Sequence, residues 1–263
     1  MTLYLTLSLA SLAVAALTFY SGFGLGTLLM PVFAIFFPVE VAVAATAVVH
    51  GANSIFKTIV VGRKADRAVV VRFGLPAIAA AFVGASALAY TADFGHLVEY
   101  SLGPHLAVIT PVKVVMALLM TVFALFELLP GLRKLTFSGR HLVIGGLLSG
   151  FFGGFSGHQG ALRSAFLAKA GLSAESFVGT NSVIGFMVDM VRILTYFAAF
   201  IAAGTGASMV TDQWPLLMVS ALSAFLGVMI GKRFLKKVTM TAIQTLTGFF
   251  LLAIALFLGL GII

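Results

Sequence analysis

Four basic side chains stand in apolar sequence, where lysine and arginine are costly: Lys57, Lys113, Arg163 and Arg192. An ionised side chain at mid-bilayer costs on the order of 3 kcal/mol or more, so a charge kept there has a partner or a task. Asp189 precedes Arg192 by three residues, close enough to pair on one helical face. His158-Gln159-Gly160 precedes Arg163, which therefore stands at the start of the short apolar piece after that glycine. A helix start offers free backbone N–H groups and a positive dipole end, and Arg163 adds a full charge there. A planar guanidinium donates two parallel hydrogen bonds to an oxyanion, which suits sulfite, a sulfonate or a carboxylate. Two plainer readings stand beside this one. The Asp189–Arg192 pair could be purely structural, and the glycines could serve only tight helix crossing.

Lys57 ends a row of His50, Asn53, Ser54 and Lys57 at three- and four-residue steps, so these side chains share one face. Lys57 either lines an anion path with His50 and Asn53 or snorkels to the nearby membrane surface. Glu40 and Glu175 precede matching spans, where negative charge favours a helix N-terminus. Capping is the first reading for both. Proton coupling is the second, with Asp189, His50 and His158 as further candidates. Lys113 reads as an interfacial anchor, and Glu127 as a side chain reaching the headgroups.

These residues fall at matching places in two halves. Ser21-Gly-Phe-Gly-Leu-Gly-Thr27 is followed by an apolar piece and then Glu40 to Thr46. Ser156-Gly-His-Gln-Gly160 is followed by an apolar piece and then Glu175 to Asn181. Thr46 corresponds to Thr180 at an offset of about 134 residues, and Lys57 falls within one residue of Arg192. The first break offers only backbone groups, at Gly24, Gly26 and Thr27. Paired glycine-interrupted segments in the two halves of a membrane chain point to a transporter with its site between them.

The elements that must position these groups are membrane helices. Apolar residues make up 61% of the chain and charged residues 9%, against about 25% charged in soluble domains. Mean hydropathy is +1.15. Spans of about 20 apolar residues are expected at 40–61, 73–90, 111–129, 174–202, 214–230 and 241–263. Residues 3–20 with 28–37, and 142–155 with 161–170, are expected as two broken pairs. Residues 91–110 and 203–212 read as loops. Trp214 is placed as an interfacial anchor.

The net charge of +8 does not indicate nucleic acid. Its lysines and arginines cluster in 62–72, 130–141 and 231–238, the pattern of cytoplasmic loops. The two non-basic loops then face the other side. Spans 40–61 and 174–202 run in opposite directions, provided each broken pair returns to its own side. The expected architecture is all-α and polytopic: two inverted-topology repeats, residues 1–131 and 132–263. It has about six full transmembrane helices plus two glycine-broken hairpins or half-helices, with both termini on the non-cytoplasmic side.

Several chemistries have no support. Cysteine is absent, which removes disulfides and thiolate metal or relay chemistry. No Walker A, His-Glu-x-x-His or Gly-x-Ser-x-Gly motif occurs, and no His, Asp or Glu cluster has metal-ligand spacing. Neither a cofactor nor a metal is expected. The first apolar stretch lacks a basic lead and a cleavage pattern, and reads as a mature segment.

The chain resembles the TauE/SafE family of sulfite and organosulfonate permeases over about residues 5 to 260. The resemblance rests on the two glycine breaks with Glu40 to Thr46 and Glu175 to Thr180 after them. Val49-His-Gly-Ala-Asn-Ser-Ile-Phe-Lys57, Gly62-Arg63, Arg72-Phe-Gly-Leu-Pro-Ala77 and Asp189-x-x-Arg192 reinforce it. It implies secondary transport of sulfite or an organosulfonate across a bacterial inner membrane, with export the commoner direction. The second break departs from the family's usual Gly-Gly-Gly run and following proline: Gly157-His-Gln-Gly160 stands there, and Ala165 matches Pro31. The added His158 and Arg163 point toward a bulkier sulfonate or a carboxylate as alternatives to sulfite.

The expected ligand set is Lys57, Arg163 and Arg192 for charge, with Asn53, Thr46, His50, His158, Gln159, Gly160, Thr180 and Asn181 for hydrogen bonds. Gly24, Gly26 and Thr27 add backbone groups, and Asp189, Glu40 and Glu175 are the proton-coupling candidates. The expected partners are a small anion and the lipid bilayer. A passive anion channel would use the same residues; further off, a membrane enzyme would use His50 or His158 as its catalytic group. The sequence leaves the oligomeric state open, a homo-oligomer included.

Overall fold

A computed structural model describes residues 2–18, 24–92, 94–203, 213–234 and 239–263. Ser21 to Phe23 of the first break, most of the 203–212 loop, and residues 235–238 of the last basic cluster lie outside them. The helices are α1 (Thr2–Leu17), α2 (Leu25–Ala34), α3 (Val39–Val61), α4 (Arg67–Ala92), α5 (Pro111–Leu128) and α6 (Pro130–Arg133). They continue with α7 (Leu142–Ser156), α8 (Gly160–Leu167), α9 (Ala174–Ala202), α10 (Trp214–Phe234) and α11 (Met240–Gly259). Among the described residues six helices, α3, α4, α5, α9, α10 and α11, are long and apolar enough to cross a membrane. The protein is an all-α polytopic membrane protein, and these six are the spans expected from sequence.

Side-chain caps set several boundaries. Ser173 accepts from the Ser176 N–H at 3.2 Å, Thr110 from Lys113 at 3.3 Å with Pro111 opening the helix, and Thr239 from Ala242 at 3.2 Å. Asp66 accepts from the Val69 N–H at 2.9 Å, so α4 starts at Arg67 and not near Phe73. Arg67 and Arg72 are thus helical, not in a loop. The first break closes at Gly24, whose φ of 105° only glycine adopts without strain. Gly26 and Thr27 therefore lie inside the first turn of α2. The second break turns at Gly157, φ 79°.

The expected 91–110 loop contains a β-hairpin: β1 (Val98–Leu102) pairs antiparallel with β2 (His105–Ile109) through a Gly103-Pro104 turn. Gly103 has φ 60°, which the tight turn requires. Five paired positions satisfy the backbone groups that face each other across the hairpin.

The Phe137 N–H donates to Ala165 O at 3.1 Å and Ser138 bridges Lys169. The end of α8 is thereby tied to the chain just before α7, so these two helices form a hairpin. At this same end Asp66 N–H donates to Thr180 Oγ1 at 2.9 Å and Arg133 Nη2 to Thr245 Oγ1 at 3.2 Å. At the other end of α11, Val108 N–H donates to Gly261 O at 2.9 Å and Tyr100 OH to Leu260 O at 2.6 Å. The basic segments 62–67 and 130–141 thus gather at one end, the hairpin and the last residues at the other.

Helix packing follows a repeated scheme. Helix α4 packs on α7 and α10 on α1; α3 packs on α9, and α5 on α11. Helices α4 and α9 touch, as do α10 and α3. Exchanging α1 with α7, α3 with α9, α4 with α10 and α5 with α11 leaves this set of pairs unchanged. Small residues permit the approach. Cβ atoms at Gly146, Gly150 and Gly154 of α7 would lie 2.2, 2.2 and 2.1 Å from the carbonyl oxygens of Phe73, Ala77 and Ala81 on α4. At Gly227 and Gly231 of α10 they would lie 2.1 and 2.5 Å from those of Leu12 and Ala16 on α1.

Candidate functional site

The site forms where α3 crosses α9 beside the two glycine breaks. A Cβ at Gly51 would meet Ile193 Cδ1 at 3.0 Å and Asp189 Cβ at 3.5 Å, so the two helices touch there. That contact sets His50 and Ser54 against Asp189. A Cβ at Gly26 would lie 3.4 Å from both Gly157 O and His50 Cδ2, and one at Gly157 would lie 3.1 Å from Arg192 Nη1. Both breaks therefore abut the charged residues of the two crossing helices.

Asp189 is fully buried and is the hub of the cluster. Its Oδ2 lies 2.6 Å from His50 Nδ1 and accepts from Ser54 Oγ at 2.9 Å. Its Oδ1 accepts from Gln159 Nε2 at 3.2 Å and Arg192 Nε at 3.1 Å. Arg192, 0% exposed, also donates Nη1 to the Gly153 carbonyl at 3.3 Å. Its Nη2 is 2.9 Å from Asp189 Oδ1 but has no well-aligned hydrogen bond of its own among the described residues.

Arg163 is held differently. It is 3% exposed, its Nε donates to Asn181 Oδ1 at 2.6 Å, and its Nη1 to Gln159 Oε1 at 2.8 Å. Both partners are neutral amides, and among the described residues Arg163 makes no ion pair. Lys57, half-buried on the same face of α3 as His50, is near enough for its charge to interact with Arg163. Two buried guanidiniums and a nearby ammonium thus face a single buried carboxylate. A buried charge without a counter-charge is costly, and a bound anion offsets that cost.

The structure brings His50, Gln159, Arg163, Asn181, Asp189 and Arg192 into one network, with Gly26 and Gly157 against it. Asn53 is buried on α3 with its Oδ1 unpartnered among the described residues, and Thr46 Oγ1 likewise, one turn before His50. Gly160 opens α8 beneath Gln159. Other candidates stand apart. Thr180 clamps the 62–66 segment through Asp66. Glu175 is exposed and pairs with exposed Lys64 at 3.3 Å. Glu40, partly buried in the first turn of α3, lies within electrostatic reach of Lys113, which donates to Val108 O at 2.8 Å. His158 is buried, but its Nδ1 bonds Ser156 O at 2.9 Å and its ring stacks on Phe123, centroids 5.2 Å apart.

Four residues join the network without a sequence signal for a site role. Ser54 lies on the His50 face and donates to Asp189. Tyr196, one turn after Arg192, donates its hydroxyl to Gly154 O. The carbonyls of Gly153 and Gly154 carry no sequence signal beyond the glycines themselves.

A helical membrane bundle holding an arginine-rich charge cluster at two helix breaks defines a polytopic membrane protein of the transporter class. The family model for Sulfite exporter TauE/SafE matches residues 7–258, and the chain belongs to this family of membrane transporters. Comparison with curated proteins finds no match, and neither does comparison with solved structures.

Proposed function

We propose that this protein is a secondary active transporter of a small sulfur oxyanion or organosulfonate in a bacterial inner membrane, working mainly as an exporter. Arg163 carries the reading: it is a buried cation whose hydrogen bonds go to neutral amides, and the carboxylate within electrostatic reach, Asp189, is already paired with Arg192, so a ligand anion supplies the further counter-charge. Arg192 is already paired with Asp189. It shapes the site and offers Nη2 as a second donor, but it is not a free charge. Lys57 and Asn53 extend the site toward the basic end of the bundle. The exchanged helix packing supports two inverted repeats, 1–131 and 132–263, hinged at Gly24 and Gly157 for alternating access.

The test is ligand stabilisation of purified protein, because a ligand that binds the folded state raises the melting temperature. Sulfite, sulfoacetate, taurine, sulfate and acetate are compared. Stabilisation by sulfite or a sulfonate, lost in Arg163→Gln, is the expected result. No response to any oxyanion, or an unchanged response in Arg163→Gln, refutes the site.

A further inference from the structure

A cavity with a mainly apolar wall and a few polar side chains lies at the basic end of the bundle, between α5, α8 and α11. It is partly open and is lined by Phe123, Glu127, Arg133, Thr136, Ser164 and Gln244 among others. Glu127 is 3% exposed, and its Oε2 has no hydrogen-bond partner among the described residues; Ser164 Oγ is equally unpartnered. Among the described residues, the only other charged group lining the cavity is Arg133. Its hydrogen bonds go elsewhere, although its charge still reaches the Glu127 carboxyl: Nε donates to the Glu127 backbone carbonyl at 2.8 Å, Nη2 to that same carbonyl and to Thr245 Oγ1 at 3.2 Å. From α11 the neutral Gln244 side chain hydrogen-bonds the carboxyl, and α8 contributes only Ser164 as a polar group. Phe123 lines the cavity and stacks on His158, whose buried Nε2 is unpartnered among the described residues. His158 follows Gly157, which abuts Arg192.

We propose that Glu127 is a proton-binding site loaded from this cavity, and that its protonation is coupled to movement of the anion. The proposal rests on the transport reading above. A carboxyl with one amide partner and one unpartnered oxygen takes up or releases a proton without breaking an ion pair. The other described acids lack that freedom or that burial. Asp189 is engaged by four side chains, Glu175 is an exposed ion pair, and Glu40 sits near Lys113. A metal cation is a poor alternative occupant, because the Arg133 charge lines the same cavity. The Phe123–His158 stack links this cavity to the second glycine break, so a change at that break is felt in the cavity.

The experiment compares wild type and Glu127→Gln in proteoliposomes with radiolabelled sulfite. Counterflow exchange needs no net proton movement, whereas accumulation driven by a pH gradient does. Glu127→Gln is expected to retain counterflow within about twofold and lose gradient-driven accumulation at least tenfold, with Glu127→Asp partly restoring it. Retained accumulation in Glu127→Gln overturns the proposal. So does loss of counterflow together with accumulation, or a wild type driven by a sodium gradient and not by pH. Absence of wild-type counterflow refutes sulfite transport itself. In that case infrared titration of the purified protein still decides the matter: a protonated-carboxyl band present in wild type and missing in Glu127→Gln supports the site, and identical spectra overturn it.

Discussion

Arg163 Nε donates to Asn181 Oδ1 at 2.6 Å, so this buried guanidinium is held by an amide where Arg192 is held by a carboxylate. The two arginines are therefore unequal. One is ion-paired with Asp189, and the other is hydrogen-bonded to neutral amides with Asp189 only within electrostatic reach. Asn181→Asp would place a carboxylate where the amide now stands and supply a counter-charge internally. The expected result is a folded protein, at least as heat-stable as wild type, with anion affinity reduced at least tenfold, about 1.4 kcal/mol. Isothermal titration with the ligand found by thermal shift checks it. Unchanged affinity in Asn181→Asp sinks the assignment of Arg163 as the ligand cation.

Removing one member of the Asp189–Arg192 pair leaves the other as an uncompensated buried charge. Such single changes cost about 3–5 kcal/mol. Asp189→Asn and Arg192→Gln should each lower the melting temperature and the yield of monodisperse protein. The double variant should be more stable than the sum of the singles implies, because residues in contact couple. Strict additivity of the two losses would show that the pair is not the unit drawn here. Loss of ligand binding in Arg192→Gln alone is thus weak evidence about anion contact.

The helix boundaries were legible because they rest on local chemistry. Ser173, Thr110 with Pro111, and the glycine breaks each act within a few residues, and α9 starts and ends where its sequence said it would. The start of α4 was misplaced because Arg67 and Arg72 were read as loop charge, although Asp66 supplies the cap. The β-hairpin was missed because five-residue strands give little alternation. Within the site, Asp189–Arg192 and the His50 face were readable from helical periodicity. The bond from Asp66 to Thr180 spans 114 residues, and no spacing rule announces it. Matching spacing pairs Thr180 with Thr46, yet Thr180 Oγ1 accepts from the Asp66 N–H while Thr46 Oγ1 has no partner among the described residues. Glu127 looked peripheral because its seclusion depends on helices α8 and α11, far away in sequence.

Glu175 and Lys64 are both largely exposed, 76% and 66%, and exposed ion pairs are worth about 0–1 kcal/mol. Glu175→Gln is expected to leave both stability and anion transport essentially unchanged. A transport loss of tenfold or more in Glu175→Gln would return this residue to the coupling machinery.

The glycine row of α7 is a packing device, separable from the site chemistry. A Cβ at Gly150 would stand 2.2 Å from the Ala77 carbonyl oxygen, backbone that cannot step aside as a side chain would. Gly150→Ala must push α4 and α7 apart, and overpacking of this kind typically costs about 1–3 kcal/mol. Gly131, with nothing within 4 Å of its Cβ position, is the control, and Gly131→Ala should be nearly neutral. Equal melting temperatures for the two variants would contradict the close approach of α4 and α7.

The charged cluster is shut off in this conformation: Asp189 and Arg192 are 0% exposed and Arg163 3%. Under the proposed function a ligand enters when the breaks open. The chain has no cysteine, so a single introduced thiol reports its own accessibility without background. Ser54→Cys places that thiol beside Asp189 on α3. A membrane-impermeant thiol reagent is expected to label it at least tenfold more slowly than a surface control at Lys64→Cys. Labelling should quicken in Gly157→Ala, because alanine disfavours the positive φ that the closed break requires. Fast labelling of Ser54→Cys in the unmodified background would mean that the cluster stands open to water, and the occluded geometry would have to be abandoned.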